Sequence, residues 1–253
     1  MENKLIEKMK SGKVAPGIWI NSTDPQIAEI AATYGAEWLL IDLEHEPIGR
    51  SHLTSILMTC KGTDCQPIVR VPENREVYYK WVLDLGAAGV VVPQIKGYED
   101  ARLAIEYAKY RPVGERGVGP MRACKYYSDG EYIRRANEET MLMVQIENAG
   151  GLKDIEKIVS LPGVDAVFLG PGDLSDSLGH FWQFDHPEFV KALDTITSTC
   201  KKANMPMCVP AFSEELFKRY YEKGIRGILV MSDYRALINT VTSSLESAKR
   251  LAE

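Results

Sequence analysis

The sequence predicts an α/β fold, and more narrowly a closed (β/α)8 barrel, the TIM barrel, formed by a single domain. Eight short runs of branched apolar residues alternate with amphipathic helical stretches, at intervals of about 30 residues. These runs are apolar almost without interruption, as strands are when both faces of a parallel sheet are covered. Because 253 residues is also an ordinary length for one barrel, we expect a single domain over residues 1–253.

An open, doubly wound sheet is the main alternative fold, and it often carries a glycine-rich first turn. The turn after the first predicted strand reads NSTDPQ and contains no glycine. Gly117 and Gly119 begin a dinucleotide-binding pattern, but Arg122 stands where the third glycine would be. The sequence therefore favours the closed barrel.

The predicted strands are the elements that decide where polar side chains meet. They span residues 16–20, 38–42, 67–71, 89–93, 142–147, 165–170, 205–210 and 227–231. A glycine stands between a helical stretch and the next strand in four segments, YGAEW, LGAAG, LPGVD and EKGIRG. Since glycine is the residue that most often follows the end of a helix, these segments mark helix-to-strand boundaries.

The predicted helices occupy the segments between strands, after a short amphipathic helix in MENKLIEKMKSG at the N-terminus. Asp24 and Pro25 form a typical helix start, in which proline at the first helical position follows an acidic cap. The main helices span residues 24–34, 74–85, 97–109, 151–159, 187–202 and 213–223. Residues 111–140 interrupt the alternation with a long loop and a polar helix, and loops of this length are usually functional.

Composition excludes several classes of function. The formal net charge of −5 offers no basic surface for nucleic acid or for an anionic membrane. Five cysteines without paired spacing indicate neither a disulfide framework nor a zinc site. The N-terminal segment lacks the apolar core of a signal peptide, and no run reaches the roughly 18 apolar residues needed to span a bilayer. We expect a cytoplasmic protein without nucleic-acid or membrane partners.

Polar side chains stand at the carboxyl ends of several predicted strands, where barrel enzymes place their chemistry. They are Asp42, His45, Arg70, Gln145, Glu147 and Asp173. Taken singly, Glu147 and Asp173 are also typical of helix caps or turns, and His45 is typical of a solvated ion pair. Arg70 is different, because an arginine inside a strand needs an anionic partner. The occurrence of all six at one end of the barrel indicates a functional site.

The residue types in this set point to enolisation of a 2-oxo acid. Glu147 and Asp173, two carboxylates from adjacent strands, suit a hard divalent cation such as Mg²⁺ or Mn²⁺. Arg70 supplies positive charge for a carboxylate or a developing oxyanion. His45, which we expect to pair with Asp42, suits the part of a general base near neutral pH.

Six stretches of the sequence resemble a known enzyme family. They are LLIDLEHEP, PIVRVP, LDLGAAGVVVPQI, YRPVGERGVGP, VQIE and VFLGPGDLSDSLGH. Together they are similar to the 4-hydroxy-2-oxoheptanedioate / 2-dehydro-3-deoxyglucarate aldolases, which are class II pyruvate aldolases of the phosphoenolpyruvate/pyruvate barrel superfamily. The resemblance extends from Gly17 to about Ala236. It implies reversible cleavage of a 4-hydroxy-2-oxo acid to pyruvate and an aldehyde, by a homo-oligomer that is commonly a hexamer.

The resemblance also implies how the reacting groups are held. Glu147 and Asp173 would bind the divalent cation, Mg²⁺, Mn²⁺ or Co²⁺, and pyruvate would chelate it through a carboxylate oxygen and the keto oxygen. Arg70 would bind the keto oxygen and stabilise the enolate. Gln145 would help to position the ligands of the cation.

Further positions receive roles from the same resemblance. His45, oriented by Asp42, would move protons, and the backbone at Gly172 and Cys124 would line the pocket for the pyruvate carboxylate. Asp84 matches a position that reaches the site of a neighbouring subunit.

The sequence departs from the family pattern around the acceptor side of the site. Cys124 stands where a small residue such as serine or alanine is more common. Phe181, Trp182 and Phe184 occupy a region that is usually smaller and more polar, with Trp182 either a pocket wall or a surface aromatic, and Phe212 could narrow the entrance. The acceptor aldehyde is therefore not implied by the resemblance.

Other chemistries are alternatives on the same fold. A Schiff-base aldolase would need a buried lysine at a strand end, whereas Lys96 follows its strand. Phosphorylated substrates are disfavoured because VPAFSEE and VMSDYRA contain no glycine for a phosphate cradle. Another carbon–carbon lyase acting on a metal enolate would use the same residues and stays open. A silent barrel that serves as a binding or scaffold subunit is the remaining alternative, against which the intact polar set argues.

Overall fold

A computed structural model of the chain, which describes residues 3–252, confirms the closed parallel barrel. Within these residues eight strands pair in chain order, and the last pairs with the first. The strands are β1 Ala15–Ile20, β2 Trp38–Asp42, β3 Gln66–Arg70, β4 Gly89–Val92, β5 Met141–Ile146, β6 Ala166–Leu169, β7 Met207–Pro210 and β8 Gly227–Ser232. Each predicted strand is present, with ends that differ by no more than two residues.

The described residues form helices before the first strand, in the segments between the strands and after the last one. In chain order they are α1 Lys4–Lys10, α2 Pro25–Thr33, α3 Arg50–Thr59, α4 Glu76–Asp84, α5 Tyr98–Ala108, α6 Tyr132–Glu139, α7 Ala149–Lys153, α8 Ile155–Val159, α9 Pro171–Ser177, α10 Pro187–Lys202, α11 Glu214–Glu222 and α12 Asp233–Ala252. No helix in this part of the chain is long and apolar enough to cross a lipid bilayer.

Most of the predicted helices are confirmed, and the four helix-ending glycines all have a left-handed backbone: Gly35, Gly86, Gly163 and Gly224. The predicted helix over 151–159 is instead two short helices, α7 and α8, that meet at Asp154. The first of them begins at Ala149, two residues before the predicted start. Three further helices, α3, α9 and α12, were not among the predicted ones. The strand sequences are apolar almost without interruption because both faces of the strands are buried.

The barrel interior and the layer beneath the helices are two separate apolar clusters. Trp38, Leu40 and Phe168 belong to the inner cluster, which also includes Leu5 and Met9 of α1. The alternate strand residues pack outward against the helices. Because α1 packs on the inner cluster and precedes β1, it closes the amino-terminal end of the barrel, where Asn3 donates hydrogen bonds to two backbone carbonyl oxygens.

The long segment between α5 and β5 lies at this same closed end. The amide of Ala123 donates to the carbonyl oxygen of Asp84 at the end of α4, and Arg122 donates to the neighbouring carbonyl of Leu85. A cavity nearby is lined by Pro67 and Ala88, which are at the amino-terminal ends of β3 and β4. The opposite end, where the strands finish, is therefore free to carry a site.

Candidate active site

An open cavity of about 460 Å³ lies at the carboxyl ends of the strands. Six of the residues singled out in the sequence contribute to its wall: Asp42, His45, Arg70, Gln145, Gly172 and Asp173. Phe212 lines it too, and so do Trp182 and Phe184, with Trp182 also largely exposed to solvent. The structure thus brings most of the candidate residues together.

Arg70 is buried at the end of β3 and is held by two acids. Its Nε donates to Oδ1 of Asp42 at 3.0 Å and its Nη2 donates to Oδ2 at 2.5 Å. The register of β2 and β3 places these two residues directly opposite each other. Nη1 of Arg70 lies 3.2 Å from Oε2 of Glu44, and the guanidinium stacks on Trp19, 4.6 Å from the ring centroid. Arg70 therefore has the anionic partners that its burial requires.

The expected pair between His45 and Asp42 is not formed. Burial alone would raise the pKa of Asp42, but the hydrogen bonds and charge of Arg70 outweigh it and lower that pKa, so the carboxylate is already engaged. Asp42 meets His45 only through the backbone amide, at 3.4 Å. The His45 side chain is 65% exposed, and its Nε2 lies 3.7 Å from Oε2 of Glu44. The acid beside the imidazole is thus Glu44.

Glu44 is the residue that sequence reasoning missed. Its side chain is only 13% exposed, and burial raises its pKa to about 7, although the charge of Arg70 opposes this. The charges of Asp42 and Asp173 raise the same pKa further. The only indication of Glu44 in the sequence is its position two residues after Asp42, in a stretch that contains several acids.

Glu147 lies just behind the cavity wall, almost fully buried. Its Oε1 accepts a hydrogen bond from the amide of Gln94 at 2.6 Å, and its Oε2 accepts one from Nε2 of Gln145. Burial raises the pKa of Glu147 to about 7, although these hydrogen bonds lower it. The charges of Glu44 and Asp173 raise the same pKa further. Oε1 of Gln145 is buried without any hydrogen-bond partner.

This arrangement fits a hard divalent cation. The carboxylates of Glu147 and Asp173 are close enough for their charges to interact, and the unpartnered oxygen of Gln145 lies next to Glu147. Oxygen atoms of this kind are the ligands that Mg²⁺, Mn²⁺ and similar cations prefer. A cation would also relieve the cost of burying several carboxylates together.

A second group with metal-ligand chemistry lies in the connection between α9 and α10 and in the first turn of α10. The ligand atoms of His180, His186 and Glu188 are within 4.8 Å of one another. The two imidazole rings are stacked with centroids 3.3 Å apart, and Nδ1 of His186 already accepts a hydrogen bond from the amide of Glu188. None of the three lines the cavity. The Glu147 region therefore remains the better match to the predicted cation site.

Asp84, which was expected to reach the site of a neighbouring subunit, and Cys124, which was expected to line the pocket for the pyruvate carboxylate, both lie outside the cavity of their own chain. Asp84 ends α4 at the closed end of the barrel, where Arg116 donates to its Oδ1 at 2.7 Å. Burial raises the pKa of Asp84 and the charge of Arg116 opposes the rise. Cys124 is buried in the segment that packs against this end, where its amide donates to Pro120. These residues could reach an active site only in another copy of the chain.

The sequence profile of the HpcH/HpaI aldolase/citrate lyase family matches residues 16–240. The chain belongs to this family. It is a carbon–carbon lyase, and the resemblance found in the sequence is confirmed.

Relatives in this family support the assignment over nearly the whole chain. A 2-dehydro-3,6-dideoxy-6-sulfogluconate aldolase of Pseudomonas putida is 38% identical over 234 residues, which cover 92% of each protein. A 4-hydroxy-2-oxo-heptane-1,7-dioate aldolase of Klebsiella pneumoniae is 35% identical and covers 92% of this chain and 89% of its own length. The crystal structure of a family member from Burkholderia cenocepacia superposes with a TM-score of 0.92 at 30% identity, over 98% of this chain and 99% of the other.

The raised pKa of Glu147 predicts that the metal-free protein loses stability as pH rises. Below about pH 4.5 the carboxyl is protonated whether the chain is folded or not. Between pH 4.5 and about 7 the unfolded chain loses the proton and the folded protein retains it, so the free energy of unfolding falls through this window and levels above it. The shift corresponds to about 3 kcal/mol.

This prediction is tested by measuring the free energy of unfolding in urea at several pH values, with chelator present and at fixed protein concentration. Glu147→Gln removes the titrating group, so the decline between pH 5 and pH 8 should be smaller by about 2 to 3 kcal/mol. Part of the decline should remain because Glu44 titrates in the same direction. A Glu147→Gln variant with the full wild-type decline would show that Glu147 is ionised throughout.

Proposed function

We propose that this lyase is a class II pyruvate aldolase, which reversibly cleaves a 4-hydroxy-2-oxo acid to pyruvate and an aldehyde and depends on a divalent cation. The observation that carries the proposal is the buried Arg70–Asp42 pair beside the carboxylates of Glu147 and Asp173, at one cavity. The names of both relatives describe aldolases, which supports this reaction type.

The acidic part of the cavity is the proposed cation site. Glu147 and Asp173 would hold Mg²⁺, Mn²⁺ or Co²⁺, with Gln145 beside them. When bound, the cation supplies positive charge that stabilises the enolate of pyruvate.

Arg70 provides the fixed positive charge for the keto oxygen of the substrate. As the bond between C3 and C4 breaks, its electron pair moves into the enolate, and negative charge grows on that oxygen. A guanidinium already held by Asp42 needs little reorganisation to meet this charge, which is how preorganised donors accelerate reactions. Protonation of the enolate at C3 then gives pyruvate.

His45 is the proposed base for the 4-hydroxyl of the substrate. The ring accepts the hydroxyl proton while the C4–O bond becomes the carbonyl of the departing aldehyde. Glu44, rather than Asp42, lies beside the imidazole and can orient it. The exposed position of His45 at the rim also allows proton exchange with solvent.

The active protein is proposed to be a homo-oligomer, with a hexamer favoured. Asp84 and Cys124 lie at the opposite end of the barrel from the cavity of their own chain, so their expected roles require a second copy. Helix α12 buries none of its residues on its own chain, and its exposed apolar residues include Leu237, Ile238 and Leu245. An apolar helix face of this kind is typical of a subunit contact.

Five free cysteines, all buried, support a reducing compartment such as the cytoplasm.

Metal binding should depend on the carboxylates of Glu147 and Asp173. We expect Mn²⁺ titrated into chelator-stripped protein to bind Glu147→Gln and Asp173→Asn at least about a hundredfold more weakly, since even outer-shell substitutions reach that loss. Calorimetry measures this without turnover. Glu188→Gln is the matched control, because it removes one acid from the histidine group outside the cavity. Unchanged binding by Glu147→Gln with loss in Glu188→Gln would place the cation in that other group.

Loss of the Arg70 guanidinium should abolish most catalysis while the barrel persists. Arg70→Ala removes the group that meets the enolate oxygen, so kcat/KM for aldol addition of pyruvate to small aldehydes should fall about 10²- to 10³-fold. Arg70→Lys keeps a positive charge but not the two-point contact with Asp42, and should recover only part of the rate. Circular dichroism checks the fold. Near-wild-type turnover by Arg70→Ala would rule out the proposed role.

A further inference from the structure

The histidine group, which consists of His180, His186 and Glu188, has the composition of a zinc site. Two imidazoles and one carboxylate are a ligand set that zinc proteins use, with water in the fourth position. The three ligand atoms lie within 4.8 Å of one another, and Nε2 of His180 is 3.0 Å from Oε2 of Glu188. Two ligands of one tetrahedral Zn²⁺, each bound at about 2.1 Å, are roughly 3.4 Å apart. Small side-chain shifts would therefore bring all three ligands onto one cation.

His186 presents the lone pair that a metal ligand needs. Its Nδ1 accepts a hydrogen bond from the amide of Glu188, 3.3 Å away, so this nitrogen carries no proton. The bond is long for an N–H donor, and amides at the start of a helix are commonly left to solvent. A cation can therefore replace the amide at Nδ1. The ring of His180 is stacked on that of His186, with 3.3 Å between the centroids, which holds the second imidazole beside the first.

Backbone hydrogen bonds hold the two histidines in position. The amide of His180 donates to the carbonyl oxygen of Ser175 in α9 at 2.8 Å, after a left-handed turn at Gly179. The carbonyl oxygen of His180 accepts from the amide of Gln183, whose own carbonyl oxygen accepts from the amide of His186. Histidines joined in this way lose less conformational entropy on binding a cation than histidines in a mobile loop.

The charged neighbours of the histidine group neither exclude a cation nor strongly attract one. The amino-terminal end of α10 weakly disfavours positive charge, and Glu188 in the first turn of this helix offsets that effect. Arg219 of α11 donates to the carbonyl oxygen of Phe184, but its guanidinium is paired with the carboxylate of Asp185 at 2.7 Å. Binding would therefore depend on the ligand bonds themselves.

The ligand types distinguish this group from the acidic part of the cavity. Imidazole nitrogen suits Zn²⁺, Ni²⁺ and Cu²⁺, whereas carboxylate and amide oxygens suit Mg²⁺ and Mn²⁺. None of the three residues of the histidine group lines the cavity. We therefore expect the two places to take different cations.

We propose that His180, His186 and Glu188 form a second metal site, which binds one borderline divalent cation, such as Zn²⁺, in each chain. The site is independent of the proposed aldolase reaction, and no reaction step passes through it. The chain between the two histidines carries Trp182 and Phe184, which line the cavity. The bound cation joins both ends of this stretch and so holds part of the cavity wall in place.

Zinc binding is measured by calorimetry on chelator-stripped Glu147→Gln protein, which lacks one carboxylate of the proposed cavity site. We expect one Zn²⁺ per chain to bind at the histidine group. His180→Gln, His186→Asn and Glu188→Gln, each added to Glu147→Gln, should weaken this binding at least about tenfold, a loss that even outer-shell substitutions cause. Asparagine at position 186 can still cap α10. Because each comparison is made within one background, zinc bound elsewhere in the protein cancels from it.

Two controls separate a built site from general zinc binding. His52→Gln removes an exposed histidine of α3 and should leave the zinc affinity unchanged. Mn²⁺ should bind Glu147→Gln and Glu147→Gln/His180→Gln equally, since imidazole is a poor match for this cation. Equal zinc affinity in all the variants would show adventitious binding only and overturn the proposal. A loss of Mn²⁺ affinity on His180→Gln would contradict the separation of the two sites.

Copper provides a test on the wild-type protein. One equivalent of Cu²⁺ added to the stripped protein should give an electron paramagnetic resonance spectrum with coupling to two imidazole nitrogens, because Cu²⁺ forms the most stable complexes with such ligands. The coupling should disappear in His180→Gln/His186→Asn, whose fold is checked by circular dichroism. A wild-type spectrum without this coupling, or a double variant that keeps it, would rule out the site. Neither result bears on the aldolase function, which the Arg70 variants test separately.

Discussion

The ion pair between Arg70 and Asp42 is the interaction on which the rest of the site depends. Burying two charges costs several kcal/mol for each ion, and only good geometry offsets this. Here adjacent strands place the two residues opposite each other, and the guanidinium meets both carboxylate oxygens. Asp42 also accepts from the amides of Glu44 and His45, so the same carboxylate shapes the turn after β2. The guanidinium and the backbone of Glu44 and His45 are thus held by one carboxylate.

The cavity divides into a charged inner part and an aromatic outer part. The inner part has more acids than bases, and burial raises the pKa of Glu44 and of Glu147 to about 7. Such an excess of buried carboxyl groups is unfavourable alone and favourable around a cation. The outer part has ring faces and the exposed Arg235, whose guanidinium lies over Phe212. The division corresponds to the two products of the proposed cleavage, pyruvate within and the aldehyde towards solvent.

Much of this architecture could be predicted from the sequence, because a parallel barrel has simple rules. Apolar runs predicted the strands, and the parallel order then placed Asp42, Arg70 and Asp173 at one end, as observed. Side-chain partners could not be predicted in the same way. Asp42 binds Arg70 rather than His45, since only the strand register shows that a buried arginine lies opposite it. The position of Cys124 outside the cavity of its own chain could not be predicted either, because the loop after α5 lies at the closed end, which local sequence does not reveal.

The most direct test of the central claim is exchange of the methyl protons of pyruvate in D₂O, followed by NMR. The protein is stripped with chelator and then supplied with Mg²⁺, Mn²⁺ or Co²⁺ in parallel samples. Enolisation of pyruvate needs no aldehyde, so the result does not depend on the identity of the second substrate. A class II aldolase should exchange these protons only when a divalent cation is present. Equal exchange by the stripped protein, or no exchange with any of the three cations, would contradict the account.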